Sequence, residues 1–547
     1  MSFKEFLISI WQTRNGRIIL SALFMFFSSS IIFLSKLLDV YLQQPGGIFF
    51  ITSVIGVSAL LTVLFFLLIS HGRLTRWILG FFIIISAQAT YFMAQYGIVI
   101  DAQMIDNLIQ TSTSEIWGLI TPAFIVHTSL FGIFPAWLIF SQDVKVNSLW
   151  KEVKVRLVSI AACLMLIVLL IAPFASSYAT FIRVHKEVRL YVSPLSYIYA
   201  TVRYTKDHLL PRHVLPHLVL ATDVHKVGQH RLNGLIILVI GETARSDRFS
   251  LNDYRRDTNP ELRNHDVISF THVSSCGTST AVSVPCMFSA LGHEKYDAEE
   301  AKRQDNALDI LTRGGVKVLW RDNNSDSKGV ADRVTFENFS SSDHNPFCDP
   351  ECRDIGMLDG LDKFLLKNQG HDVLIVLHQM GSHGPEYYKR YPAAFETFKP
   401  VCRSGELQTC SRAEIDNAYD NTIRYTDHFL SSTIDFLKKH DATYETAMIY
   451  VSDHGESLGE NGIYLHGAPY KFAPDQQTHV PAIIWAGKNA KYSTDRLRPY
   501  SDLPISHDDL FCGLLMAFDR ETKLCKMNRP ICKRCRSLRQ KSRSSRF

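Results

Sequence analysis

"LIILVIGETAR", residues 235–245, decides the fold. Six apolar residues run without alternation and stop at Gly241, and a run of that length bounded by a turn residue suits a strand buried on both faces of a parallel sheet. Runs of the same kind recur at 315–324 ("GVKVLWRDNN"), 372–385 ("DVLIVLHQMGSHGP"), 446–457 ("TAMIYVSDHGES") and 479–487 ("HVPAIIWAG"), with helical patterns at 301–313 and 414–438 between them. Strands alternating with helices predict a doubly wound α/β domain, whose ligands bind beyond the carboxyl ends of the strands. Those ends carry Glu242, Asp322 with Asn323, His378 with His383, and the Asp453–His454 pair. Residue types that ligate metals are therefore expected along one edge of the sheet.

Upstream of this domain the composition changes. Five apolar segments, Ile18–Ser35, Gly47–Ser70, Trp77–Val99, Trp117–Phe140 and Leu157–Ala175, are each about long enough to cross a bilayer as a helix. A signal peptide would account for the first alone. Lys4, Arg14 and Arg17, then Arg73 and Arg76, then Lys145, Lys151, Lys154 and Arg156 flank these spans on one side, while the two other loops hold Lys36 as their only cation. Positive residues collect in the cytoplasm, so the N-terminus is expected inside and everything after Ala175 outside. Ten of the eleven cysteines, all but Cys163, then fall in an oxidising compartment, where disulfides are the expected state. Near neighbours pair as Cys276–Cys286, Cys348–Cys352 and Cys402–Cys410, leaving Cys512, Cys525, Cys532 and Cys535 with three pairings open. A zinc knuckle in the tail is disfavoured for want of histidine. The chain of 547 residues carries a formal charge of +5, which makes no case for nucleic acid.

The domain plan that follows is a five-helix membrane region (1–176), interfacial connector helices (177–230), an outer catalytic domain (231–524) and a basic, cysteine-containing tail (525–547). Within the outer domain, Asp453 and His454 can share one ion only if the strand ends there, and Gly455 permits that turn. Glu242, at the matching end of another strand, completes three protein ligands with an open position, the pattern of a catalytic zinc site. A hydroxyl in that position would lose its proton readily. Residues 274–289, "SSCGTSTAVSVPCMFS", supply one between two cysteines that brace the turn, and residue types alone do not choose among Thr278, Ser279 and Thr280.

"GETAR", "SSCGTSTAVSVPCMFS", "HQMGSHGPEYYKRYP" and "VSDHGESLGENGIYLHGAPY" closely resemble the lipid A phosphoethanolamine transferases, a family that includes the mobile colistin-resistance enzymes. The resemblance extends from the spans to about residue 520. It implies an alkaline-phosphatase/sulfatase-like periplasmic domain behind five membrane helices, in the bacterial inner membrane. It also implies Thr280 as the nucleophile, zinc at Glu242, Thr280, Asp453 and His454, and Asn323, Lys328 and Glu456 around the phosphoethanolamine. His383 and His466 become catalytic or headgroup-binding residues, or ligands of a second zinc; manganese also suits these donors. The loop at 100–116 is expected to lend Asn107 or Glu115 to a lipid-binding surface. Asp253 stands where the family usually has glycine, and the tail from 525 does not look like the family's usual close.

The expected reaction moves phosphoethanolamine from phosphatidylethanolamine to a lipid A phosphate through a phosphothreonine, in a monomeric enzyme surrounded by membrane lipids, and confers polymyxin resistance. A sister enzyme acting on lipopolysaccharide core or Kdo is the nearest alternative. A phosphoglycerol transferase of the lipoteichoic acid type is the next. A sulfatase activity is disfavoured because "SVPCMF" lacks the arginine of the Cys/Ser-x-Pro-x-Arg nucleophile motif, and a non-catalytic lipid sensor because the ligand set is complete.

Overall fold

A computed structural model describes residues 11–525 apart from 44–45, 112, 143–147, 186–187, 209–215, 229–231, 350 and 492. The chain divides into two units, residues 1–109 with 119–210 and residues 110–118 with 211–547. Among the described residues of the first unit, four helices are long and apolar enough to cross a membrane: Gly47–Ile69, Gly72–Tyr96, Pro122–Ser141 and Trp150–Phe174. The first expected span is instead a bent pair, Arg14–Ser29 and Ile31–Tyr41, meeting at 63°. The break falls at the serine run 28–30, where Ser30 leaves helical geometry and its Oγ donates to the carbonyl oxygen of Ser193 at 2.9 Å. Ser28 Oγ bonds back to the Phe24 carbonyl, a pattern that bends helices. The fourth span starts at Pro122, not Trp117, because Thr121 caps it by accepting the Phe124 N–H. Buried Arg17 donates to the carbonyls of Ile139 and Gln142, satisfying the end of that span. The connector contains helices Ala175–Val184 and Leu195–His208.

The second unit is built on a seven-stranded sheet. Its strands are β1 (Asn233–Gly241), β2 (Val267–Phe270), β3 (Lys317–Asp322), β4 (Thr335–Asn338), β5 (Val373–His378), β6 (Tyr444–Ser452) and β7 (Ala482–Ala486), in the spatial order β2-β7-β6-β1-β5-β3-β4. β4, β3, β5, β1 and β6 are mutually parallel. β7 is antiparallel to both β6 and β2, although its apolar run reads like the others. Between β6 and β7 the chain makes no crossover helix, only a four-residue turn of helix at Asp475–Thr478, so it re-enters the sheet at the end it left. β2 and β4 have no counterpart among the expected strands: both are short, and β4 is an edge strand with three of four residues exposed.

Alternation in β1 serves both faces. Leu235, Ile237 and Val239 pack with Ile423, Phe429 and Ile434 of one long helix, while Ile236, Leu238 and Ile240 pack with Trp320, Leu311 and Leu514 on the other side. The helices of this unit include α1 (Thr280–Met287), α2 (Ala307–Arg313), α3 (Arg412–His440) and α4 (Asp508–Ala517). The expected helix at 301–313 is two pieces, because Asn306 begins α2 with a capping box. Asp253 has φ 65°, the left-handed geometry that glycine serves and aspartate tolerates.

Cys276–Cys286, Cys348–Cys352 and Cys402–Cys410 are disulfides, and a fourth, Cys512–Cys525, resolves one of the open pairings. Cys525 therefore belongs to the folded unit; Cys532, Cys535 and the rest of the basic tail lie outside the described residues. A chain ended at Leu524 should be less stable than one ended at Cys525 by roughly 3 kcal/mol, the contribution of closing a short loop, and should unfold at a lower temperature. Equal thermal midpoints for the two purified proteins would show the fourth disulfide to be dispensable.

Candidate active site

Two neighbouring parallel strands create the site. Gly241 of β1 pairs in register with Ser452 of β6, so the residues that follow, Glu242 and Asp453, come out side by side at the carboxyl edge. The Asp453 N–H donates to the Gly241 carbonyl at 2.9 Å, locking that juxtaposition. Residue 241 has to be glycine, since a Cβ there would lie 2.5 Å from the Tyr450 hydroxyl. Asp453 Oδ1 accepts the N–H groups of Thr243 and His454, at 3.2 and 2.7 Å. The chain turns at once through Gly455, where a Cβ would meet the Gln476 carbonyl at 2.0 Å, and this brings His454 to the same point as Asp453.

Thr280, the first residue of α1, completes the cluster. Its Oγ1 donates to Glu242 Oε2 at 3.0 Å and lies 3.3 Å from His454 Nε2. Of the three hydroxyls that the sequence left open, Thr278 donates elsewhere, to the Ala468 carbonyl. His454 Nδ1 donates to the Gly455 carbonyl at 2.9 Å, so Nε2 presents its lone pair 3.4 Å from both Glu242 Oε1 and Asp453 Oδ2. Burial holds the His454 ring well below its ordinary pKa and therefore neutral, and it pushes the Asp453 carboxyl up.

Two buried carboxylates and a neutral imidazole, with ligand atoms all within 4.8 Å of one another, fit a divalent cation. Asp453 Oδ2 has no hydrogen-bond partner among the described residues, as expected of an atom meant for a metal. Glu242, Asp453 and His454 are a group that could hold a metal ion.

A second layer stands against it. The His466 ring is tilted against that of His454, with centroids 4.4 Å apart, and meets His383 edge-on at 5.3 Å. Glu456, fully buried, accepts from His466 Nδ1 at 2.8 Å through one oxygen and from the Tyr387 hydroxyl at 2.7 Å through the other, which fixes the imidazole plane. Asn323 turns the other way, its amide donating to Asp354 and to the Cys352 carbonyl. Its neighbour Asn324 reaches the site instead, donating to Glu242 Oε2 at 2.7 Å and to the Gln379 carbonyl at 2.8 Å. Adjacent residues at a strand end face opposite ways, and that alternation was the available signal for choosing Asn324. Lys328 Nζ donates to the Ser325 carbonyl. Beneath the cluster, buried His378 donates to Asp322 at 2.8 Å. Asn107 lies on the helix Ala102–Gln110 in the first unit; the side chain of Glu115 is outside the described residues.

Comparisons with known proteins agree with this geometry. A family model described as phosphoethanolamine transferase EptA/EptB matches residues 58–209, and the sulfatase model matches residues 235–519. The chain is 41% identical to phosphatidylethanolamine transferase Mcr-1 of Escherichia coli, over 93% of this chain and 96% of that protein. It is 40% identical to phosphoethanolamine transferase EptA of Salmonella typhimurium, over 85% and 86%. Among solved structures it resembles the integral membrane protein lipooligosaccharide phosphoethanolamine transferase A of Neisseria meningitidis, with TM-score 0.88 at 34% identity over 93% of this chain and 96% of that one. The periplasmic domain of phosphoethanolamine transferase EptC from Campylobacter jejuni matches with TM-score 0.51 at 42% identity, over 56% and 94%.

Because Asn324 orients a ligand rather than binding the ion, Asn324→Leu should weaken metal binding about 10–100-fold, the usual cost of losing a partner of a metal ligand. Zinc titration against a competing chelator on the full-length protein reads this directly. Unchanged affinity would show that Glu242 needs no help from Asn324.

Proposed function

The chain belongs to the lipid A phosphoethanolamine transferase family, and from that premise we propose that Thr280 accepts phosphoethanolamine from phosphatidylethanolamine and passes it to a phosphate of lipid A. The enzyme is an inner-membrane protein whose globular unit works in the periplasm, where both lipids present their headgroups. The observation that carries this reading is the placement of Thr280 Oγ1 within 3.0 Å of Glu242 and 3.3 Å of His454 at the amide end of α1.

Zinc is the ion proposed for Glu242, Asp453 and His454; when bound it supplies positive charge that eases deprotonation of a hydroxyl and neutralises phosphate oxygens. Thr280 gives its proton to Glu242 Oε2, with which it is already hydrogen-bonded, as its oxygen attacks phosphorus. The bond from Thr280 Oγ1 to phosphorus forms while the bond to the diacylglycerol oxygen breaks. His383 or His466 protonates that leaving oxygen, with Glu456 and Tyr387 keeping the His466 ring in place. In the second displacement an oxygen of a lipid A phosphate attacks the same phosphorus, giving its proton to the histidine that protonated diacylglycerol, and Thr280 leaves with the proton from Glu242. Positioning and charge neutralisation supply most of the rate in phosphoryl transfer, so a rigid, buried cluster suffices. The added amine lowers the negative charge of lipid A, and reduced susceptibility to polymyxin follows.

Lipid A from a Gram-negative host expressing this chain should gain the mass of one phosphoethanolamine, and lipid A from a host expressing Thr280→Ala should not. Polymyxin tolerance should rise only in the first host. A gain in both would remove Thr280 from the mechanism; a gain confined to the core sugars would move the acceptor to core or Kdo.

A further inference from the structure

One buried side chain links the nucleophile segment to the metal-ligand loop. His507, 2% exposed, precedes α4 and follows Ser506, which pairs with Ser274 in a short parallel bridge. Its Nδ1 accepts the backbone N–H of Cys276 at 3.1 Å, and its Nε2 donates to the carbonyl of Ser452 at 2.9 Å. A backbone N–H can only donate and a carbonyl can only accept, so these two contacts force one neutral tautomer. Burial agrees, holding the ring down at about 4.

Both partners sit at informative places. Cys276 lies four residues before Thr280 and is bonded through its sulfur to Cys286 of α1. Its carbonyl is gripped as well, by His293 Nδ1 at 2.7 Å. Ser452 is the last residue of β6, directly before Asp453. The Ser452 hydroxyl accepts the N–H of Ala244, two residues beyond Glu242, and donates to the carbonyl of His454. A single imidazole therefore spans from the backbone that carries the nucleophile to the serine that ties the three ligands together.

We propose that His507 is a positioning residue for the transfer, setting the distance between Thr280 Oγ1 and the Glu242–Asp453–His454 cluster by bridging Cys276 and Ser452. The proposal rests on the reading of Thr280 as nucleophile given above. Neither end of the bridge touches substrate, so the contribution is geometric: displacements of about 1 Å at a reacting centre cost on the order of a hundredfold in rate. A buried histidine that merely fills the core would instead contribute stability alone.

The test uses the full-length protein in detergent, with phosphatidylethanolamine and lipid A as substrates, and zinc alone as the binding probe. His507→Leu removes both hydrogen bonds at similar volume, and His507→Gln restores one acceptor and one donor on a planar group. His507→Leu should lower kcat about tenfold or more with KM for phosphatidylethanolamine unchanged within about twofold, and weaken zinc binding about tenfold, with His507→Gln recovering most of each. Wild-type kcat and zinc affinity in His507→Leu would overturn the proposal, and so would equal impairment of the Leu and Gln variants. Should His507→Leu fail to fold, His507→Asn decides: its short amide reaches Cys276 but not Ser452, so its kcat should fall below that of His507→Gln, and parity of Asn with wild type overturns the bridge. If the wild-type protein transfers nothing, the proposed function fails by itself, while zinc affinity lost in the Leu variant and rescued in the Gln variant still supports the bridge and its absence there overturns it.

Discussion

Glu242 and Asp453 are carboxylates with no exposed surface, placed side by side by the register of two parallel strands. Burying one ionised carboxylate is costly, and burying two together adds their mutual repulsion in a medium that screens poorly. A cation removes both penalties at once, and the surrounding architecture is arranged to keep the carboxylates where the cation needs them. Backbone N–H groups of Thr243 and His454 take one oxygen of Asp453, and Asn324 and Thr280 take one oxygen of Glu242. The other oxygen of each approaches His454 Nε2. Every element of the site can be traced to this constraint.

Rigidity comes from the same source. The loop after β1 is held by Arg245, 3% exposed at its side chain, which pairs with Asp247 and Glu460 and donates to the Glu456 carbonyl. Its backbone N–H reaches the Tyr419 hydroxyl on α3, which donates to the carbonyl of Thr243. Arg248 and Arg256 share the buried Asp420 of the same helix. A buried charge that finds several partners resists displacement, because each partner lost leaves a desolvated ion. α3 thus anchors the ligand loop from behind while the sheet fixes it from below, and sites carried on such elements hold their geometry better than sites on bare loops.

Much of this was legible beforehand, and the gaps have physical causes. Continuous apolar runs revealed β1, β3, β5 and β6 because interior parallel strands need nonpolar side chains on both faces. β7 looked the same, and only the loop that precedes it decides its direction. β4 was invisible because an edge strand needs few apolar residues. The cluster of Glu242, Asp453 and His454 at strand ends could be read from residue type and position, whereas the choice of Thr280 beside it required the family's motif, since Thr278, Ser279 and Thr280 are chemically alike. Asn323 was expected around the phosphoethanolamine from the family's motif, and a single residue of register turns Asn323 toward Asp354 and Asn324 toward Glu242. Bending of the first membrane span was hidden because hydropathy records composition, and the break depends on where the hydroxyls of Ser28 and Ser30 find carbonyls.

The match of the sulfatase model over residues 235–519 shows how far fold and chemistry separate. In this chain Glu242, Asp453 and His454 gather at the carboxyl edge of the parallel strands, and Thr280 begins a short helix beside them. What differs is local. A sulfatase-type motif carries an arginine two residues after its proline, whereas here Met287 follows Pro285 and Cys286, and Cys286 is consumed in a disulfide with Cys276. The hydroxyl at the cluster is instead that of Thr280, 3.0 Å from Glu242 and 3.3 Å from His454, with His466 tilted against His454 and His383 edge-on to His466. That arrangement suits a leaving oxygen that needs a proton and an acceptor that arrives with its own phosphate charge.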